Sequence, residues 1–347
     1  MPVAAAVYHG PPELTPLHAL TEWTLDPWAL AFALLLAGLY LAGVRRVRGA
    51  ADGDWPAGRV IAFCGLGLGF GLIATVSFVG AYSGVLFYMR AVQTVLLLLL
   101  VPLFLALGRP LSLAIAALPR LGPRIEALIR CRAARVLTFP AITTLVLVIT
   151  PFLVYFSPWY AAAFHSDLVR ELTYLALMAP GFVFFWTLLR IDPVPKAYPY
   201  LVSLWVTGAE VVGDAVLGLA VIADNSLIAG AYYHALGRPG GPSLRTDQVL
   251  GGGVLWILGD IVGLPFLAAQ LIQMIREDEA EATVVDAELD ARDAVALPGE
   301  RAVSQQPWWE SDPRFADRFG PVGQPPASGR DAPESDARRA TGAADGQ

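Results

Sequence analysis

The stretch from Phe87 to Pro110, FYMRAVQTVLLLLLVPLFLALGRP, leaves this chain few folds to choose from. From Ala91 to Gly108 it holds 18 residues without a charge, almost all of them aliphatic. About 20 such residues in a helix cross the hydrocarbon core of a bilayer. In lipid the backbone must satisfy its own polar groups, which leaves only helices and closed barrels. Arg90 stands at the entrance of the run, with Gln93 one helical turn further on. A guanidinium there either snorkels to the interface or finds an acidic partner.

Six more segments are long and apolar enough to span. With Gly84–Gly108 they run approximately Pro27–Val44, Val60–Ala81, Val136–Trp159, Leu172–Leu189, Tyr200–Ala223 and Val249–Ile275. Composition agrees: 56% of residues are hydrophobic and 16% charged, against roughly a quarter charged in soluble proteins. The expected fold is an all-α polytopic membrane protein, a seven-helix transmembrane bundle in the lipid bilayer.

Orientation follows from the short loops, because cytoplasmic loops collect Lys and Arg. The loops after the first, third and fifth spans hold 12 basic residues, among them Arg45, Arg109, Arg130 and Arg190. The opposite side holds three, Arg170, Arg238 and Arg245. The N-terminus is therefore expected outside and the C-terminus in the cytoplasm. The organisation becomes an external N-terminal segment over 1–26, a membrane domain over 27–275 and a tail over 276–347. The N-terminus has no basic n-region, so the first span is expected to act as the insertion signal. The tail carries 8 Arg against 16 acidic residues, and its Pro, Gly, Ser, Arg and Asp predict an acidic, largely disordered segment. Within it Trp308 and Trp309 form an aromatic island suited to a membrane surface or a partner. Nothing reads as a nucleic-acid surface.

Smaller features sharpen the picture. Gly65, Gly67, Gly69 and Gly71 sit inside an apolar span, where they predict close helix approach rather than a phosphate loop. Ala81-Tyr82-Ser83 reads as a tight external turn. Pro151 is expected to kink the fourth span. Gly251-Gly252-Gly253 means either backbone exposed to a ligand or tight packing, and packing is favoured.

Charged groups inside spans mark function or paired packing. Glu210 and Asp214 lie four residues apart, hence on one helix face, and Asp260 lies near the middle of the seventh span. By helix direction Arg90, Asp214 and Tyr174 fall in the outer half. Arg90, Gln93, Tyr174, Glu210, Asp214 and Asp260 are therefore the candidate intramembrane cluster. It serves either as a charge pair fixing helix packing or as a polar site handling an ion, a proton or a partner. At the outer face the candidates are His165, Arg170, Glu171, His234, Asp247 and Gln248.

Metal and catalytic chemistry have little to work with. The four histidines, His9, His18, His165 and His234, lie outside the spans, and Cys64 and Cys131 form no CxxC pair. Copper takes thiolate, thioether or imidazole ligands, so no metal site is expected, with His165 and His234 the weak candidates. There is no GxSxG and no HExxH, and no enzyme is expected.

Several stretches in order resemble the CtaG family of cytochrome c oxidase assembly factors, seven-helix bacterial membrane proteins. They are Val101-Pro102-Leu103 through Leu107-Gly108-Arg109-Pro110, then Gly181-Phe182-Val183-Phe184-Phe185-Trp186 with Asp192-Pro193-Val194-Pro195. Asp247-Gln248-Val249-Leu250-Gly251-Gly252, Trp256-Ile257-Leu258-Gly259-Asp260 and Pro307-Trp308-Trp309-Glu310 complete the set. The resemblance implies a multi-pass protein of the bacterial plasma membrane, serving the respiratory chain. Cytochrome c oxidase subunits or another copper-handling protein would be its partners, and copper a possible cofactor. Family members typically place histidines on helices three, five and six. Aligned here, those positions fall on Arg90 and Thr94, near Thr173 or Tyr174, and on Asp214. From this we expect an Arg90–Asp214 pair in place of a histidine copper site, with transport of protons or ions through Arg90, Glu210, Asp214 and Asp260 as the alternative.

Overall fold

A computed structural model describes residues 8, 10–50, 54–196 and 198–295. His9, the tail beyond Val295 and the Trp308–Trp309 island lie outside them. All regular structure among the described residues is helical. In chain order it comprises α1 (Pro16–Thr21), α2 (Pro27–Arg48), α3 (Ala57–Val76), α4 (Phe78–Ser83), α5 (Phe87–Ala117), α6 (Gly122–Ile129) and α7 (Arg132–Leu137). There follow α8 (Pro140–Tyr155), α9 (Trp159–His165), α10 (Asp167–Leu189), α11 (Tyr200–Ala223), α12 (Gly230–Leu236) and α13 (Leu244–Val295). Six of these helices are long and apolar enough to cross a membrane, and a seventh span results if α8 and α9 count as one. Among the described residues, those up to Arg276 form one compact unit and those from Glu277 belong to a second.

Helix starts follow local chemistry. Pro27 and Pro140 occupy first-turn positions, as does Pro110, where α5 resumes its helix after a break at Gly108–Arg109 with Arg109 at φ 53°, and there the missing N–H is no loss. Asp26 caps α2 by accepting from the Ala29 amide at 3.1 Å, and Ser166 caps α10 through the Val169 amide. α5 is the centre of the bundle: two thirds of its apolar run, 67%, is buried, against 11% for α2. Lipid tails are as apolar as leucine, so helices associate here by close packing and hydrogen bonds, not by escaping water. The glycines behave accordingly. Gly67 and Gly71 of α3 face Leu105 and Val101 of α5. Gly252 and Gly218 bring the backbones of α13 and α11 together, and Gly181 of α10 lies against the Leu98 carbonyl of α5. The packing reading holds for Gly67, Gly71, Gly251 and Gly252, whereas Gly69 and Gly253 meet nothing within 4 Å and Gly65 meets only Ile61 of its own helix.

Four sequence expectations need correction. The second span ends at Val76, because Ser77 is extended and its hydroxyl caps α4 through the Val79 amide. Ala81-Tyr82-Ser83 is consequently helical, and the chain turns at Gly84–Leu86. The fourth span, expected as one run over Val136–Trp159, is helical from Pro140 through Pro151 to Tyr155 and breaks with a 64° bend at Phe156–Pro158. The last span begins at Leu244, since Ser243 receives the Thr246 amide at 3.2 Å and starts the helix early. Asp247 and Gln248 are therefore helical and not part of a loop.

Both α3 and α5 contain wide π-type turns, at Ile61–Gly67 and Leu96–Leu100. The second directly follows the turn that carries Arg90, Gln93 and Thr94. Such turns often accompany functional sites.

Candidate functional site

Arg90, Gln93 and Thr94 share one face of α5, at the three- and four-residue spacing of adjacent helix turns. All three are buried. Arg90 Nη1 donates to Gln93 Oε1 at 2.8 Å. Gln93 Nε2 donates to the Ala74 carbonyl at 2.7 Å and reaches the Tyr174 hydroxyl at 3.5 Å. Thr94 donates to the Arg90 carbonyl at 2.9 Å and shares a 3.0 Å bond with Tyr155. The guanidinium also lies over two rings of α9, with its carbon 5.9 Å from the Tyr160 centroid and 5.6 Å from that of Phe164. Each such contact favours a cation. Tyr160 and Tyr233 bond through their hydroxyls at 2.8 Å, and Phe164 stacks on Tyr232 at 4.2 Å.

The expected Arg90–Asp214 pair is not formed. Asp214 lies on α11, one helical turn from Glu210 and within the electrostatic reach of Asp260. Its carboxylate rests against Gly259 of α13, and Glu210 rests against Gly263. The physical reason is register: Asp214 follows the i, i+4, i+7, i+11 face of α11 that turns to α13. Ser203, Thr207, Glu210 and Asp214 make that face, all of them buried. Arg190 Nη2 donates to Ser203 at 2.8 Å, and Thr207 meets Gln270 at 3.3 Å. Among the candidate residues the structure thus groups Arg90, Gln93 and Tyr174 around α5, and Glu210, Asp214 and Asp260 between α11 and α13.

The outer-face candidates divide as well. Arg170 binds Asp167 at 2.8 Å, Asp26 at 3.4 Å and Glu171 at 3.6 Å. His165 and His234 are exposed, with His165 edge-on to the Tyr232 ring at 5.8 Å. Asp247 and Gln248 are structural. Asp247 accepts from the Phe87 and Tyr88 amides, at 3.0 and 3.1 Å, which fixes the start of α5. It also pairs with Arg238 at 3.0 Å, both side chains being buried. Gln248 receives the Ile228 amide and donates to the carbonyls of Val221, Asp224 and Ser226. In the same turn the Ser226 hydroxyl and amide hold the Asp224 carboxyl below its usual range. Asp192 does for Pro110–Ala117 what Asp247 does for Phe87, accepting from the Leu111 and Ser112 amides and the Ser112 hydroxyl.

Sequence reading overlooked Asp26, Tyr155 and Phe164. Asp26 was visible as an Asp-Pro helix start, but its burial against Arg170 was not.

The positions where the CtaG resemblance led us to expect histidines do not fit copper. Arg90 brings a fixed cation, Thr94 is engaged with Tyr155, Thr173 donates to the Val169 carbonyl and accepts from Trp159, and Asp214 sits in the carboxylate row. Copper takes imidazole or sulfur. Among the described residues no three His, Cys, Asp or Glu side chains converge as a metal site.

A profile described as cytochrome c oxidase caa3 assembly factor (Caa3_CtaG) matches residues 38–277. An uncharacterised protein of Mycobacterium bovis is 27% identical over 292 residues, covering 82% of this chain and 44% of that protein. A Mycobacterium tuberculosis protein gives the same figures, and one from Mycobacterium leprae is 28% identical over 296 residues, 79% of this chain and 44% of its own length. The chain therefore spans less than half the length of these relatives. No solved structure matches it.

Proposed function

This chain belongs to the cytochrome c oxidase caa3 assembly factor family, and we propose that it is an integral membrane assembly factor for a haem–copper oxidase. It acts by binding assembly partners or by assisting copper-centre assembly, without a histidine copper site of its own. The observation that carries this reading is the family match, which runs from within α2 to just past the end of the first compact unit at Arg276. Its partners are oxidase subunits or another copper-handling protein, and its place is the bacterial plasma membrane with the N-terminus outside. Binding at intramembrane side chains suffices for this role, and no catalytic step is assigned.

Deleting the gene and restoring the full chain tests it. Assembled oxidase, read as haem absorbance and oxygen uptake in isolated membranes, should fall on deletion and return on complementation. Unchanged oxidase content would overturn the proposal.

A second reading has its own support. The row Ser203, Thr207, Glu210, Asp214, with Asp260 and Gln270 opposite, resembles a proton or ion path through the bundle. Asp260 Oδ1 and Gln270 Nε2 are buried without a hydrogen-bond partner. Proton flux in liposomes carrying the protein, lost in Glu210→Gln, would favour transport over assembly.

A further inference from the structure

Arg90 is a buried cation without a carboxylate partner. Its side chain is 3% exposed. Nη1 is occupied by Gln93, while Nη2 has no hydrogen-bond partner. Asp26, Asp167 and Glu171 lie within 4 Å of Arg170 instead, at 3.4, 2.8 and 3.6 Å. A charge buried without a counter-ion is strongly unfavourable, and cation–π contacts with Tyr160 and Phe164 compensate only in part.

A cavity of about 240 Å³ lies at this residue. Arg90, Arg170, Asp26, Gly84, Tyr174 and Tyr232 contribute to its wall. Asp26 enters it already committed, through the Ala29 amide and Arg170. A separate apolar groove of about 550 Å³ runs along α2, α3, α5 and α10, and Thr75 and Tyr174 line both spaces.

We propose that the Arg90 cavity binds the anionic group of a ligand, a carboxylate or a phosphate, which serves as the guanidinium's counter-ion. Nη2 supplies a charge-assisted hydrogen bond, the strong kind made by arginine to such groups. Arg170, at the same cavity, is committed to its own carboxylates, so Arg90 is the cation that an anion there would meet. The anion is either a free ion or the head of an amphiphile whose chain lies in the adjoining groove. The inference stands apart from the assembly role, since binding is read on purified protein.

The test is calorimetric titration of the full chain in uncharged maltoside micelles with inorganic phosphate, sodium oleate and oleyl alcohol. Saturable binding of phosphate identifies a free anion, and saturable binding of oleate alone identifies an amphiphile. Arg90→Gln should weaken the bound anion roughly ten- to a hundredfold, the range expected for one charged hydrogen bond. Arg90→Lys should retain part of the affinity. Gly84→Leu, which fills the cavity and leaves Arg90 in place, should abolish binding with helicity and elution unchanged, and it decides the matter if Arg90→Gln does not fold. The proposal is overturned if wild type binds neither anion. It is equally overturned if oleyl alcohol binds as well as oleate, or if folded Arg90→Gln and Gly84→Leu bind as wild type does.

Discussion

Oδ2 of Asp247 accepts a hydrogen bond from the backbone amide of Phe87 at 3.0 Å, joining residues 160 positions apart. One carboxylate at the start of α13 thereby caps α5, and α5 carries Arg90 one turn later. The same carboxylate pairs with Arg238. Replacing Asp247 with Ala leaves two amides and a buried guanidinium without their anion. A loss of about 3–5 kcal/mol is expected, as for other broken buried pairs. Unfolding in mixed micelles measures it, and a loss under 1 kcal/mol would refute the capping role.

Arg90 and Asp214 should behave independently. They share no partner, so the double-mutant cycle of Arg90→Ala and Asp214→Ala is expected to close within about 0.5 kcal/mol. The charge swap Arg90→Asp/Asp214→Arg should rescue nothing. Recovery of stability in the swapped protein would show that the two groups meet after all.

Glu210 and Asp214, by contrast, are buried neighbours one turn apart on one face of α11. Their cycle should show coupling of about 0.5–3 kcal/mol. Additive single-mutant effects of Glu210→Gln and Asp214→Asn would contradict the shared network. Oxidase content in membranes from the same variants reports whether the row is needed for assembly.

Close helix approach yields a matched pair of substitutions. A Cβ on Gly181 would collide with the Leu98 carbonyl and sit 2.8 Å from Pro102 Cγ, whereas one on Gly253 meets nothing within 4 Å. Gly181→Ala is expected to cost about 1–3 kcal/mol through overpacking. Gly253→Ala should stay within about 0.5 kcal/mol of wild type. Equal melting temperatures for the two would exclude a tight α5–α10 contact.

The Asp192 cap is the counterpart of Asp247 near the other end of α5. Asp192→Ala removes the acceptor for two amides at Pro110–Ala117. A typical cap loss of about 0.5–2 kcal/mol is expected. Amide exchange should speed up at Leu111 and Ser112, and unchanged protection there would count against the cap.

Much of the architecture was written in the hydropathy. Long uncharged runs in lipid favour helices, so the all-helical class needed no coordinates, while the structure shows six such helices, or seven if the bent pair α8–α9 counts as one. The family resemblance was legible too, because several of its motifs hold caps, Asp192 and Asp247, and close-contact glycines, Gly181, Gly252 and Gly259, whose residue types local chemistry dictates. Helix ends were less legible. Ser77 and Ser243 each move a boundary by a single side-chain hydrogen bond, too weak a signal to compete with hydropathy averaged over twenty residues. The candidate site was legible in its members but not in its partners. Depth along a helix is computable at 1.5 Å per residue, and depth alone allowed Arg90 and Asp214 to meet. Facing is a property of how helices rotate against one another. Packing against Gly259 and Gly263 turns Asp214 to α13, while the start of α5, held by Asp247, turns Arg90 toward Gln93, Tyr160 and Phe164. The sequence by itself thus determined that charges enter the bundle, and only the tertiary structure decided that the cation and the carboxylates occupy separate places.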